Sequence, residues 1–127
     1  MEQTPPYRIA FEDRDMYLYA FVTGPKDSLE LSIAYWTEVL TEMRTRNKNR
    51  VLVTEDFKDC VSAMDMYMLV EELQKLGLND LQIAFVDKQI SQNDLNRFAE
   101  TVAVNRGIYC KVFNSEAEAS SWLLADK

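Results

Sequence analysis

The chain has 127 residues, 47% hydrophobic and 28% charged, the composition of one soluble domain able to bury a real core. Its net charge of −7 disfavours nucleic-acid backbones and anionic membranes, and no apolar run is long enough to span a bilayer. There is no histidine, which excludes Ser-His-Asp and Cys-His nucleophilic sites; three glycines cannot build a phosphate loop.

Residues 1–6 read as a flexible N-terminal tail stiffened by Pro5-Pro6, and residues 7–127 as the folded domain. The polar, acidic N-terminus does not resemble a signal peptide, so a cytoplasmic protein with reduced cysteines is expected. Tyr7 to Phe11 alternates as a strand, and Met16 to Thr23 forms a second. The short polar turn between them predicts an antiparallel hairpin, ended by Gly24-Pro25.

A helix follows over about Asp27 to Asn47, with Leu29, Ile33, Trp36, Leu40 and Met43 on one stripe. Asp27 or Ser28 supplies its cap. Val51 to Thr54 is a continuous apolar run, the mark of a strand buried on both faces and central to a parallel sheet. An acidic loop is predicted over Glu55 to Val61, then a helix from about Ser62 to Leu76, with Ser62 and Asp65 as a capping pair and Gly77 as its stop. Leu81 to Val86 is the next strand. A third helix spans about Gln92 to Arg106, capped by Ser91 with Asp94 and stopped by Gly107. Ile108 to Phe113 is the last strand, and Ser115 with Glu118 caps a final helix ending near Leu124. The expected fold is a single α/β domain with a mixed, mostly parallel five-stranded sheet, in the order β-β-α-β-α-β-α-β-α.

This order resembles the STAS domain of bacterial anti-sigma-factor antagonists. Asn96-Arg97-Phe98-Ala99, Asn105-Arg106-Gly107-Ile108, Lys111-Val112-Phe113, Glu118-Ala119 and Trp122-Leu123 look like a small bacterial subgroup grouped with STAS and CRAL-TRIO folds. The resemblance implies a non-enzymatic regulatory or binding role. STAS antagonists carry an Asp-Ser-Ser-Gly-like run whose serine is phosphorylated. Here Asp59-Cys60-Val61-Ser62 stands in that place, and only Asp59 matches.

The expected ligand or partner site lies at the C-terminal edge of the sheet. Glu55, Asp56, Asp59 and Asp87 follow two strands there. They are either acids that favour helix N-termini or, in the alternative reading, the site of a metal- or carboxylate-dependent enzyme. Cys60 stands before a helix start, where a thiol can be reactive, and Ser62 is a cap or a phosphate acceptor. Met64, Tyr67 and Met68 fall off the core stripe of their helix and suit an adaptable contact. Tyr17, Tyr19 and Phe21 share one strand face. With all helices expected on the other side of the sheet, they mark a homodimer surface. The partner is expected to be a protein, a second copy of the chain or a small apolar ligand. No cofactor, metal, nucleic acid or membrane insertion is expected.

Overall fold

Alternation along Leu18-Tyr19-Ala20-Phe21-Val22 sends Leu18, Ala20 and Val22 to one side of a sheet and Tyr19 and Phe21 to the other. The computed structural model describes residues 7–59 and 61–125; the expected tail, residues 1–6, and Cys60 lie outside the described residues. Five strands, β1 (Arg8–Asp13), β2 (Leu18–Lys26), β3 (Arg50–Asp59), β4 (Gln82–Asp87) and β5 (Tyr109–Phe113), lie side by side in sequence order. The first pair is antiparallel and the rest are parallel, so β3 is central as the apolar run predicts.

Helices α1 (Leu29–Thr45), α2 (Ala63–Lys75) and α3 (Asn93–Asn105) cross between the parallel strands. Their inner residues join Leu18, Val22, Val53 and Phe57 in one core. Ser28 caps α1 by accepting from the Leu31 N–H, and Ser62 caps α2 by accepting from the Asp65 N–H, both at 3.1 Å. Gly77 and Gly107 follow α2 and α3 at φ +89° and +83°, a left-handed backbone that needs glycine. The expected Ser91 cap does not form. A 3-10 turn, Ile90–Gln92, leads directly into α3.

Two boundaries differ from expectation. Gly24-Pro25 does not end β2, which continues to Lys26. Beyond Thr23 that strand pairs only with β3, and a residue lacking an N–H is tolerated where one side is open. Thr23, Gly24 and Lys26 stand opposite Asp56, Phe57 and Asp59, so β3 also runs on through the stretch expected to be a loop. Cross-strand pairing outweighs the weak strand preference of Asp and Gly there.

The expectation of a sheet face without helices is also corrected. Helix α4 (Glu116–Ala125) folds back across the face opposite α1–α3. Leu52, Ala84 and Val86 leave an apolar patch on that face, and Ala119 and Leu123 of α4, both 0% exposed, seal it. Tyr17 lies in the turn before β2, beneath α4, and its Oη donates to Ser120 Oγ at 3.0 Å. Glu116 Oε2 accepts from Tyr19 Oη at 2.6 Å and from Thr54 Oγ1 at 2.7 Å. Phe21 is half-buried on the same face. Of the three aromatics expected at a dimer surface, Tyr17 and Tyr19 are thus engaged by α4.

Candidate functional site

The extension of β3 decides where its acids go. Strand alternation turns Glu55 and Phe57 toward α1 and Asp56 toward the opposite face. Glu55 is 5% exposed, and its Oε2 accepts from Tyr35 Oη at 2.5 Å. Asp27, directly after β2, is also 5% exposed. Because Ser28 takes the cap, Asp27 is free to turn inward. Its Oδ1 accepts from Ser28 N at 2.8 Å and Ser32 Oγ at 2.6 Å. Asp87 ends β4 and accepts from Gln89 N and Asn96 Nδ2, each at 2.8 Å.

Burial pushes the carboxyls of Asp27 and Asp87 up and that of Glu55 well up. Neighbouring acids add to this: Asp27 and Asp87 act on Glu55, Asp87 on Asp27, and Asp56 on Asp87. Hydrogen bonds from Tyr35, Ser32, Ser28, Asn96 and Gln89 offset part of it. Burial, reinforced by Glu55 and Asp27, raises the Tyr35 phenol well above its usual range. Among the described residues, no lysine or arginine pairs with Asp27, Glu55 or Asp87, and no group of three His, Cys, Asp or Glu side chains is placed to hold a metal ion.

An open cavity of about 80 Å³ lies between α1, α2, α3 and the sheet. Trp36, Leu69, Leu73, Ile83, Phe85 and Val112 form its apolar wall, and Asp27, Tyr35, Glu55 and Asn96 its polar end. Asp56, Asp59, Met64, Tyr67, Met68 and Asp87 do not line it. The C-terminal edge therefore divides into two features. The cavity opens within the helix layer, while the outer face of α2 presents Met64, Tyr67 and Met68 at 67%, 39% and 45% exposure.

The other expected site residues fall around these features. Asp56 accepts from Gln89 Nε2 at 2.7 Å. The exposed Asp59 contributes its backbone carbonyl to the Asp27 N–H at 3.0 Å. Tyr67 is braced by Arg106, whose Nη2 donates to its Oη at 2.7 Å and whose guanidinium lies 4.8 Å from its ring centre. Ser62 is exposed and fills the cap role; Ser62→Ala is expected to cost about 1 kcal/mol, read as a lower urea midpoint at unchanged slope. Sequence reasoning missed Ser32, Tyr35 and Asn96 as polar partners of the acids, and it treated Asp27 only as a cap. The adjacent Ser28, itself a good cap three residues before Leu31, is the one signal that could have released Asp27 for another role.

One antiparallel strand, four parallel strands, three crossover helices on one face and a returning helix on the other define a STAS-like α/β fold. Among solved structures, the chain is similar to an uncharacterized protein from the DUF3478 family with a SpoIIAA-like fold from Shewanella loihica PV-4. The TM-score is 0.54 at 16% identity, over 97% of this chain and 98% of that one. No family model and no curated protein matches the chain. Among the described residues, no helix is long and apolar enough to cross a membrane.

Proposed function

We propose that the protein is a non-enzymatic regulatory module of STAS-like type that works by protein–protein contact through the outer face of α2. The exposure of Met64, Tyr67 and Met68 on the first turns of that helix carries this reading. Methionine is flexible and polarizable and adapts to a partner surface, while Tyr67, held by Arg106, offers a fixed aromatic anchor. Ile90, 86% exposed in the 3-10 turn before α3, adds a further apolar group at the same end of the sheet. A carboxylate-dependent enzyme is the less favoured reading: Glu55 and Asp87 are engaged by Tyr35 and Asn96, and the chain has no histidine to act with them.

The test is the double variant Met64→Lys/Met68→Lys. Both side chains are exposed, so unfolding free energy is expected to stay within about 0.5 kcal/mol of the wild type. Affinity capture from the source cells is expected to retain a partner with the wild type and lose it with the variant. A second copy of the chain is one candidate partner, and sedimentation equilibrium of both proteins distinguishes it. Equal recovery and equal self-association of the two proteins would remove the reading.

A further inference from the structure

The cavity beneath α2 and α3 is a second feature, separate from the α2 surface. Its polar end is unusual for a core. Asp27 and Glu55 are each 5% exposed, yet among the described residues no hydrogen bond reaches Oδ2 of Asp27 or Oε1 of Glu55. Neither oxygen is sealed: among the described residues the one fully enclosed side-chain polar atom without a partner is Gln82 Nε2, so both oxygens stay accessible, and both acids line the cavity, where an arriving donor can reach them. The wall beside these acids is aromatic: Tyr35 stacks on Trp36 at 5.6 Å and Trp36 on Phe85 at 6.4 Å between ring centres. Faces of aromatic rings attract cations, as carboxylates do.

The remaining charged groups do not supply a cation at this end. Lys111 is part of the lining, but its Nζ lies 5.6 Å from the ring centre of Phe113, which packs in the core on the α4 side of the sheet. Glu100, on α3, accepts from Val112 N at 2.6 Å. Asp87 faces Asn96 and adds negative potential at Asp27 and Glu55. From α1 come only the hydroxyls of Ser32 and Tyr35.

We propose that this cavity binds a small apolar amine in its ammonium form, with the nitrogen at Asp27 and Glu55 and the hydrocarbon body against Trp36, Phe85 and Leu73. The volume, about 80 Å³, is roughly half that of an engineered apolar cavity of about 150 Å³ that holds benzene, so the enclosed space takes a short alkyl group rather than a ring. Any larger part of the ligand extends through the open mouth. The arriving cation favours the ionised carboxyls, so binding releases protons that burial had retained. Affinity therefore rises with pH until the amine itself loses its charge.

The experiment is calorimetric titration of the intact chain with n-butylamine, n-butanol and butyrate, repeated with n-butylamine in two buffers of different ionisation enthalpy. n-Butylamine is expected to bind at least about tenfold more tightly than the alcohol or the acid, the discrimination a charge-assisted hydrogen bond provides, and to release protons. Glu55→Gln is expected to weaken it by at least about tenfold. Ala99→Leu, which fills the cavity and keeps both acids, is expected to abolish binding. Asp27→Asn serves as a second charge-removing variant, and thermal unfolding shows which variants are folded. Equal affinity for n-butanol, unchanged binding in Ala99→Leu, or no saturable binding of n-butylamine would each overturn the proposal. The α2 contact reading is untouched by any of these results.

Discussion

Phe57→Ala is expected to lower the unfolding free energy by about 3–5 kcal/mol, the usual cost of emptying a well-packed aromatic site. Phe57 is 0% exposed although it lies in a stretch of Glu, Asp and Lys. Its ring stacks on Tyr35 at 6.2 Å between centres, and Tyr35 in turn donates to Glu55. The substitution removes both the buried area and the wall that fixes the phenol against the acid. Urea denaturation of the two proteins measures it. A loss below about 1 kcal/mol would mean that the second half of β3 is not packed as described.

Glu55→Gln is expected to stabilise the protein at mildly alkaline pH. A carboxyl whose pKa is higher in the folded than in the unfolded chain weakens the fold as pH rises above its unfolded value, near about 4.3 for glutamate, toward the folded one. Asp27 and Asp87 act in the same direction. Glu116 acts in the opposite one. Burial raises its carboxyl, but hydrogen bonds from Thr54 and Tyr19 more than reverse that, so its contribution is lost as pH falls. The three raised acids are therefore expected to cost stability progressively as pH rises above the ordinary carboxylate range. Glutamine keeps an acceptor for Tyr35 and carries no charge. At about pH 8 a rise in Tm of about 3–6 °C is expected, the shift that ~1 kcal/mol produces in a small domain. The difference is expected to shrink as pH falls toward the ordinary glutamate range, where the fold retains the Glu55 proton. A variant that melts lower than the wild type at both ends of this range would contradict the assignment of Glu55 as a buried, proton-retaining acid.

Much of the fold is legible in local pattern. The run Val51 to Thr54 marks the central strand because a strand buried on both faces has no polar side to show. The caps Ser62 and Ser115 and the stops Gly77 and Gly107 follow from local hydrogen bonding and backbone sterics, and the structure has them in place. Ser91 fails as a cap because the chain tightens into a 3-10 turn before α3, where Gln92 Nε2 donates to the Phe57 carbonyl of β3 at 3.2 Å.

The site was legible only in part. Glu55 and Asp87 stand out as acids after strands. Their grouping with Asp27, Tyr35 and Asn96 brings together the end of β2, α1, β3, β4 and α3, and no local spacing encodes that convergence. Met64, Tyr67 and Met68 were identifiable as apolar residues off a helical stripe, and their exposure agrees.

The sequence by itself determined the element order, the parallel core of the sheet and the absence of histidine chemistry, since these rest on residue identity and on periods of 2 and 3.6. The tertiary structure alone decided the length of β2 and β3, because each extends only with the other as its partner. It alone decided that α4 covers the second face, because an exposed apolar patch is sealed by whichever segment can reach it. From those two decisions follow the inward turn of Glu55, the burial of Tyr17 and the cavity with acids at one end.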